Sequence, residues 1–335
     1  MIDVIYVERE AREHPRAQKI LERFSKATVI ECERYGEVFN RASQNFRLQK
    51  QSPALVLAKK FDNFVLPTPD GYGVGGHHNY YFSHMLNCLY DCRYCFLQGM
   101  YRSANYLLFV NYEDFQDEMR ATLKKYPEDE PVYFFSGYDC DSMALENVSD
   151  FAADFMPFMR EHPSAYLELR TKSANIKPLL AMEPTPNCIV AFSMTPDAVA
   201  KTLEHGAASV SSRIKSMKKL ADAGWKIGLR FDPLIYHEED QSAYRGLFND
   251  VFEKGPSEAV HSVSFGPLRF PPAMFEKIRK LYPQERLFAG PLTKDRQMVS
   301  YPKAIEDEMA SFCRQELERF VPETKFFACT PGGPG

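Results

Sequence analysis

Three cysteines crowd into one short segment of the chain, and their residue type and spacing suit the binding of a metal cluster. Cys88, Cys92 and Cys95 lie within eight residues of the stretch NCLYDCRYCFLQ. Thiolates this close in sequence are more often metal ligands or catalytic groups than packing residues. The other five cysteines are scattered along the chain. The segment therefore predicts a metal site or a catalytic site.

Two kinds of metal site are compatible with three clustered thiolates. A structural zinc site has four ligands, and His84 completes such a set as H-x3-C-x3-C-x2-C. Zinc motifs usually come as two cysteine pairs, and no second pair is present here. A cluster of four irons held by three thiolates leaves one iron open for another ligand, much as a catalytic zinc site keeps an open position. The spacing favours the iron–sulfur cluster and leaves the zinc site as a remote alternative, a non-enzymatic binding module.

Strand-like and helix-like segments alternate from about residue 100 onward. The strand-like segments cover residues 105–111, 131–137, 165–172, 188–194, 226–235 and 261–270. Repeated βα units of this spacing predict a parallel sheet, either open or closed into a barrel. Ligand and catalytic groups in such folds lie at the carboxyl ends of the strands. Arg230 and Asp232 lie at one such end, where a structural ion pair and a functional role are equally compatible.

The flanking regions have patterns of their own. Residues 14–27 read as a helix and residues 27–33 as a strand, which indicates a small N-terminal α/β region. The glycine-rich run at 67–82 leads into aromatic residues instead of opening a helix, so it is interpreted as a loop or hairpin and not as a phosphate loop. The tail after residue 271 reads as helix, irregular segment, helix and short strand. We therefore predict an N-terminal α/β region at 1–78, a core at 79–270 and a C-terminal extension at 271–335.

The cysteine motif, with Tyr94 directly before its third cysteine, resembles the signature of radical S-adenosylmethionine (radical SAM) enzymes. The resemblance implies a 4Fe-4S cluster on Cys88, Cys92 and Cys95. Its open iron chelates S-adenosylmethionine, whose reductive cleavage yields a 5′-deoxyadenosyl radical that abstracts a hydrogen atom. The resemblance also implies an α/β fold, a partial (β/α)6 TIM-like barrel with an N-terminal α/β extension and a C-terminal α+β tail. The alternating pattern agrees with that fold.

Within that superfamily, the chain resembles the spore photoproduct lyase family of DNA-repair lyases. The resemblance covers roughly residues 75–270 and is carried by NCLYDCRYCFLQ, YLLFVNYEDF, LRTKSANIKPLL, FSMTPDAVAKTLEHGAASVSSRIKSMKKLADAGWKIGL and DPLIYHEEDQSAYRGLF. Members reverse the thymine–thymine adduct called spore photoproduct in UV-damaged DNA. The deoxyadenosyl radical takes a hydrogen from the adduct, the linking bond breaks, and a protein thiol returns a hydrogen. This repair is the activity that the resemblance implies.

The same resemblance assigns cofactor contacts to four residues. Lys172 offers an ammonium group to the cofactor carboxylate, and Ser193 offers a hydroxyl that donates or accepts. Asp141 accepts from the cofactor ammonium. Tyr94 lies beside the adenine through its backbone.

Three departures from the family pattern concern the substrate step. Tyr138 occupies the position of the hydrogen-donor cysteine, and Cys140 follows two residues later, on the same face if the strand continues. Tyr138, Cys140 or both are expected to take the donor's place. The family has a relay tyrosine directly after the third cysteine, and this chain has Phe96 at that position. The hairpin in the tail is shorter than in the family, and its basic residues are Lys294 and Arg296. These changes keep open an alternative in which the same cofactor chemistry acts on another nucleic-acid base, a peptide or a small molecule.

Charge and composition limit the partners. Forty-one basic residues face 45 acidic ones, so the net charge of −4 gives no overall attraction to nucleic acid. DNA would have to bind a local basic patch, for which the candidates are Arg269, Arg279, Lys280 and Arg286. The implied chemistry requires a reductant such as flavodoxin or ferredoxin. Neither an apolar run of about 20 residues nor a secretory leader is evident, so we expect a cytoplasmic protein with no membrane partner.

Overall fold

The computed structural model describes residues 2–69, 71–74, 76–237, 239–256, 258–295 and 297–328. Its strands are β1 Val4–Glu8, β2 Thr28–Cys32, β3 Leu55–Ala58, β4 Leu66–Pro67, β5 His78–Tyr81, β6 Met85–Leu86, β7 Asp91–Cys92, β8 Tyr106–Phe109, β9 Val132–Phe135, β10 Ala165–Thr171, β11 Cys188–Ser193, β12 Glu204–His205, β13 Lys226–Leu234, β14 Val260–Pro267, β15 Arg269–Phe270, β16 Thr293–Lys294, β17 Val299–Ser300 and β18 Phe326–Ala328. Its α-helices are α1 Pro15–Arg23, α2 Gly36–Phe39, α3 Phe46–Gln51, α4 Leu97–Met100, α5 Tyr112–Leu123, α6 Glu146–Ser149, α7 Phe151–Glu161, α8 Lys177–Leu180, α9 Asp197–Leu203, α10 Val210–Asp222, α11 Asp240–Lys254, α12 Pro272–Leu281 and α13 Lys303–Leu317. Short 3-10 helices cover Arg9–Ala11, Arg286–Ala289 and Glu323–Lys325. Within the described ranges, none of the helices has the length and apolar character needed to cross a membrane.

The larger sheet is the frame of a partial barrel. Its strands lie in the order β18-β14-β13-β11-β10-β9-β5-β4. The six strands from β5 to β14 within this sheet pair in parallel and follow one another in chain order. A doubly wound sheet reverses its strand order at a switch point, whereas an unreversed series joined by crossover segments curls toward a barrel. The predicted partial (β/α)6 barrel is therefore confirmed.

A second sheet, in the order β2-β1-β3-β8-β6, forms the N-terminal α/β region. Strand β8 belongs to this sheet, although the pattern made it the first strand of the alternating series. All four residues of β8 are buried, and a strand that is apolar on both faces fits the centre of either sheet. Strand β18 from the tail also joins the barrel sheet. Strand pairing thus crosses both predicted domain limits, and the division at 78/79 and 270/271 stays a prediction.

The glycine-rich segment lies against the inner face of the barrel. Strand β4 pairs antiparallel with β5, so the hairpin interpretation of this run is confirmed. Val74 packs with Tyr133, Phe135 and Ile189, which alternate with outward-facing residues on their strands. A Cβ on Gly76 would come within 2.5 Å of the Tyr133 ring, so glycine permits this close approach. We call the described residues 71–74 and 76 the glycine strap.

Candidate functional site

The three clustered cysteines lie on a loop that follows the first barrel strand, β5. Cys92 belongs to β7, and the backbone N–H of Cys95 donates to its carbonyl over 3.1 Å. Burial raises the pKa of the Cys92 thiol well above its usual range, and the neighbouring charges of Glu204, Cys95 and Cys88 raise it further, while Lys172 lowers it. The thiols are therefore close enough to interact electrostatically.

The chemistry of these thiols fits an iron–sulfur cluster. All three cysteines are free of disulfides. Burial raises the pKa of Cys88 to about 12, so without a metal the thiol form is favoured, and coordination is what makes such buried thiolates stable. In a 4Fe-4S cluster each thiolate binds its own iron, so the sulfurs surround a volume and do not converge on one ion. Among the described residues, no group of three or more His, Cys, Asp or Glu side chains is placed to hold a single metal ion.

His84 is a core residue and not the fourth ligand that a zinc site would need. Its ring stacks on Phe151 with 3.7 Å between centroids and an interplanar angle of 6°. Burial lowers the pKa of His84 to about 3, so the ring is neutral at physiological pH. Its Nδ1 has no hydrogen-bond partner in the part of the chain that the structure describes. Among the described residues, the structure does not bring His84 and the three cysteines together as a metal-binding group.

A buried ionic network holds the cysteine loop against the barrel. The Tyr94 hydroxyl donates to one oxygen of Glu204, and the Arg213 guanidinium donates to the other. Strand β12, which carries Glu204, pairs antiparallel with β7, which carries Cys92. Arg213 also donates to the Ser193 carbonyl over 2.9 Å. The network thus ties the loop between the second and third cysteines to the carboxyl end of β11.

Sequence reasoning missed Glu204 and Arg213. Both side chains are almost fully buried, yet they lie nine residues apart in TLEHGAASVSSR, which carries no periodic or motif signal for a buried ion pair. The signal available was indirect, since this stretch also carried the family resemblance. An acid and a base inside such a stretch are candidates for supporting roles around the site.

Glu204→Gln is expected to destabilise the protein by about 3 kcal/mol, because it leaves the Arg213 charge buried without its counter-charge. Urea unfolding of the metal-free protein measures this cost. We also expect less iron retained per chain after anaerobic reconstitution, because the cysteine loop loses its anchor. Asp197→Asn is the matched control, since its carboxylate pairs with Lys201 on an exposed helix face and contributes less than about 1 kcal/mol. Equal stability and iron content for the two variants would contradict the anchoring role.

The Asp141 carboxylate accepts four hydrogen bonds from groups within the protein. The donors are Thr171 Oγ1 at 2.7 Å and the backbone N–H groups of Lys172 at 2.6 Å, Met143 at 3.0 Å and Ala144 at 2.9 Å. Three of these donors bind Oδ1 and one binds Oδ2, so most of the about four acceptor sites of the carboxylate are taken. The geometry gives Asp141 the task of joining the turn after β9 to the end of β10. Its predicted contact with a cofactor ammonium stays a prediction.

Lys172 and Ser193 lie at the carboxyl ends of neighbouring barrel strands, as the pattern predicted. The Lys172 Nζ atom is 3.9 Å from Glu204 Oε1 and 5.6 Å from the centre of the Tyr94 ring. Ser193 is buried at the end of β11, and its Oγ accepts from Arg170 Nε over 3.4 Å. The structure thus brings Lys172 and Tyr94 together beside the cysteines, while their contacts with a cofactor stay predictions.

Tyr138 and Cys140 do not share a face, because β9 ends at Phe135 and strand alternation stops there. Tyr138 stacks on Tyr81 with 4.7 Å between ring centroids, inside the barrel. Cys140 lies in the main hydrophobic core, where its Sγ is 3.5 Å from the Ser136 carbonyl. Burial raises the pKa of Cys140, and the charge of Cys88 raises it further, so Cys140 lies near the cysteine loop.

A small chamber opens inside the barrel beside Tyr138. Its volume is about 40 Å³. Its lining combines aromatic side chains with polar and charged ones, among them Tyr72, Phe135, Tyr138, Arg170, Arg230 and Ser264. Among the described residues, no cysteine lines this chamber. We call it the lumen chamber.

The candidate DNA-binding groups are partly neutralised. Strands β16 and β17 form a hairpin of two residues on each side, and its Lys294 Nζ is 3.8 Å from Glu276. Arg279 pairs with the same Glu276 at 3.0 Å. Arg296 lies outside the described residues. The predicted basic patch for DNA therefore stays a prediction.

Comparison with known proteins identifies the family. A profile of the spore photoproduct lyase family matches residues 1–327. The chain belongs to this family. Spore photoproduct lyase of Bacillus subtilis strain 168 is 24% identical over 292 residues, which cover 85% of this chain and 83% of that protein. The family resemblance predicted from the sequence is confirmed.

Solved structures agree with the fold. A mutant spore photoproduct lyase with bound AdoMet (S-adenosylmethionine) and dinucleoside spore photoproduct superposes with a TM-score of 0.82, at 20% identity and over 98% of both chains. A spore photoproduct lyase complexed with dinucleoside spore photoproduct gives the same TM-score at 19% identity, again over 98% of both chains. The family match begins at residue 1, whereas the resemblance seen in the sequence covered roughly residues 75–270. The N-terminal sheet is thus part of the spore photoproduct lyase architecture.

Proposed function

We propose that this protein is a radical SAM lyase that repairs spore photoproduct in DNA. The observation that carries the proposal is the three-cysteine loop after the first strand of a partial barrel, in a chain that belongs to the spore photoproduct lyase family. When bound, a 4Fe-4S cluster and S-adenosylmethionine supply one-electron chemistry that leads to hydrogen-atom abstraction from the substrate. Cys88, Cys92 and Cys95 would hold the cluster.

The chain's own residues would bind and orient the cofactor. Lys172 presents its ammonium beside the cysteines, where it can bind a carboxylate, and Glu204 and Tyr94 limit where that ammonium lies. Ser193 adds a hydroxyl at the next strand end, and Asp141 joins the turn after β9 to the end of β10. Tyr138 faces the lumen chamber, where the lesion would lie. A flavodoxin-like or ferredoxin-like reductant and a DNA strand are the partners that this function requires.

A second candidate is the same cofactor chemistry on a different substrate. Three observations favour it: the described lining of the lumen chamber contains no thiol, Phe96 has no hydroxyl, and the β16–β17 hairpin is short. All three concern the substrate and leave the cysteine loop and its ionic network intact.

An anaerobic assay separates the two candidates. Reconstituted, dithionite-reduced protein is mixed with S-adenosylmethionine and a synthetic dinucleotide spore photoproduct, and thymine product and 5′-deoxyadenosine are both quantified. Thymine release that depends on S-adenosylmethionine supports lesion repair. Formation of 5′-deoxyadenosine without thymine release overturns lesion repair and favours the second candidate.

A further inference from the structure

We propose that Lys50 is a positioning residue for the iron–sulfur cluster. Its ammonium group fixes the start of the cysteine loop, and its charge raises the reduction potential of the bound cluster. The inference rests on the proposed function, because that function puts a cluster on Cys88, Cys92 and Cys95. It goes further by assigning a task to a residue outside the barrel, on helix α3 between two strands of the N-terminal sheet.

The ammonium group of Lys50 binds the turn that carries the first cysteine. Its Nζ donates to the Cys88 carbonyl over 2.7 Å and to the Tyr90 carbonyl over 3.0 Å. The Tyr90 backbone N–H in turn donates to the Cys88 Sγ over 3.4 Å. An ammonium has three donors, so most of its capacity is used on the two ends of this short turn. Lys50 therefore holds the backbone that presents the Cys88 thiolate.

The helix that carries Lys50 is itself fixed against the segment that follows the cysteine loop. The Gln49 Oε1 atom accepts from the Ala104 backbone N–H at 3.0 Å and from the Ser103 Oγ at 3.3 Å. Asn87, directly before the first cysteine, donates to the carbonyl of the same Ser103 over 2.8 Å. Helix α3 and the start of the cysteine loop are thus tied to one segment, which keeps the Lys50 ammonium in place beside the loop.

The charge of Lys50 is not shared with a carboxylate in the described part of the chain. Its Nζ contacts there are the two loop carbonyls, and it forms no ion pair. Lys172, the other ammonium beside the cysteines, lies 3.9 Å from Glu204 Oε1 and is partly neutralised by it. Lys50 is half-buried, so solvent screens its charge only in part.

An unneutralised cation at this place favours the reduced form of a cluster. Reduction adds one negative charge, and a positive charge nearby stabilises the more negative state. Net charge and hydrogen bonds around a cluster are among the factors that set its potential. Lys50 supplies the positive charge from outside the cysteine motif, and its hydrogen bonds fix the distance at which that charge acts.

The test is a redox titration of the reconstituted protein, followed by electron paramagnetic resonance without substrate or S-adenosylmethionine. Lys50→Met removes both the charge and the donors, Lys50→Gln keeps a donor without the charge, and Lys50→Arg keeps both. In the Met and Gln variants we expect the ratio of reduced to oxidised cluster at a fixed potential to fall about tenfold, which is about 59 mV for one electron. Lys50→Arg should restore the ratio to near that of the wild type.

Iron retention measures the positioning role in the same proteins. Loss of iron to an excess of chelator should be several-fold faster in Lys50→Met than in the wild type, because the start of the loop loses its anchor. Cooperative urea unfolding of the metal-free variants checks that each is folded. Lys303→Met is the matched control, since Lys303 pairs with Asp307 on the exposed face of α13. Its potential and its rate of iron loss should match the wild type.

The outcomes separate this inference from the proposed function. Wild-type potential and iron retention in Lys50→Met overturn the inference, while the cluster and the proposed function stand. Full restoration by Lys50→Gln also overturns it, because hydrogen bonds alone would then account for the effect. A lowered potential that Lys50→Arg restores and Lys50→Gln does not supports the inference, even if the thymine assay overturns lesion repair. A wild-type protein that forms no cluster overturns both.

Discussion

Cys92→Ala is expected to abolish both the iron–sulfur cluster and the cleavage of S-adenosylmethionine. The reason is the number of protein ligands. Three thiolates hold four irons in the intact protein, and the loss of one thiolate leaves two protein ligands for the four irons. Iron and sulfide analysis after anaerobic reconstitution should fall from about four irons per chain to near background. The absorbance near 400 nm that gives such proteins their brown colour should be lost with it. Formation of 5′-deoxyadenosine should fall below detection.

The matched control is Cys32→Ala. Cys32 lies on β2 at the edge of the N-terminal sheet, away from the cysteine loop. Its loss removes a thiol without touching a predicted ligand, so iron content and 5′-deoxyadenosine formation should match the wild type. A Cys92→Ala protein that still cleaves S-adenosylmethionine would disprove the ligand assignment. Comparable iron loss in both variants would instead indicate that the removal of any cysteine lowers the iron content, whether or not that cysteine is a ligand.

Local patterns predicted the barrel and the cysteine loop, because the information for each lies within a few residues. The alternating segments placed Lys172 and Ser193 at strand ends, where the structure has them. The assignment of β8 to the barrel was wrong, because a fully apolar strand does not encode which sheet it joins. Partner choice there depends on residues 55–58, far away in sequence.

The residues that support the site were harder to predict, because their partners are also far away in sequence. The role of Glu204 depends on its contact with Tyr94, which lies 110 residues earlier in the chain, and on the pairing of β7 with β12. Asp141 was predicted as a cofactor ligand from its residue type, whereas four internal donors now surround it. The residue type shows that a carboxylate can accept hydrogen bonds, but the fold determines which donors are close enough to make them.

Tyr138→Phe is expected to keep 5′-deoxyadenosine formation and to reduce thymine release by about tenfold or more. Tyr138 lies inside the barrel beside the lumen chamber, so its hydroxyl carries an exchangeable hydrogen on the substrate side. Transfer of that hydrogen atom to the thymine radical would give thymine and a phenoxyl radical, which regains an electron from the reductant and a proton from solvent. In D2O the wild type should place one deuterium in the released thymine, and the Tyr138→Phe product should lack it.

Cys140→Ala is the comparison that decides between the two candidate donors. Its thiol is buried in the main core against the Ser136 carbonyl, so we expect a loss of about 1 kcal/mol in unfolding free energy and an unchanged ratio of thymine to 5′-deoxyadenosine. A single-turnover sample of pre-reduced protein, freed of excess reductant before substrate and S-adenosylmethionine are added and then frozen, should show a tyrosyl radical by electron paramagnetic resonance in this variant and none in Tyr138→Phe.

The two variants together exhaust the donors that the sequence offered. Deuterium that disappears in Cys140→Ala and persists in Tyr138→Phe would assign the transfer to the thiol, and would require Cys140 to leave its core position during turnover. Deuterium that persists in both would mean that neither side chain supplies the hydrogen, since both hydrogens exchange with solvent and each variant removes one. Because Tyr138 reaches the lumen chamber and Cys140 packs beside the cysteine loop, the static geometry favours the phenol.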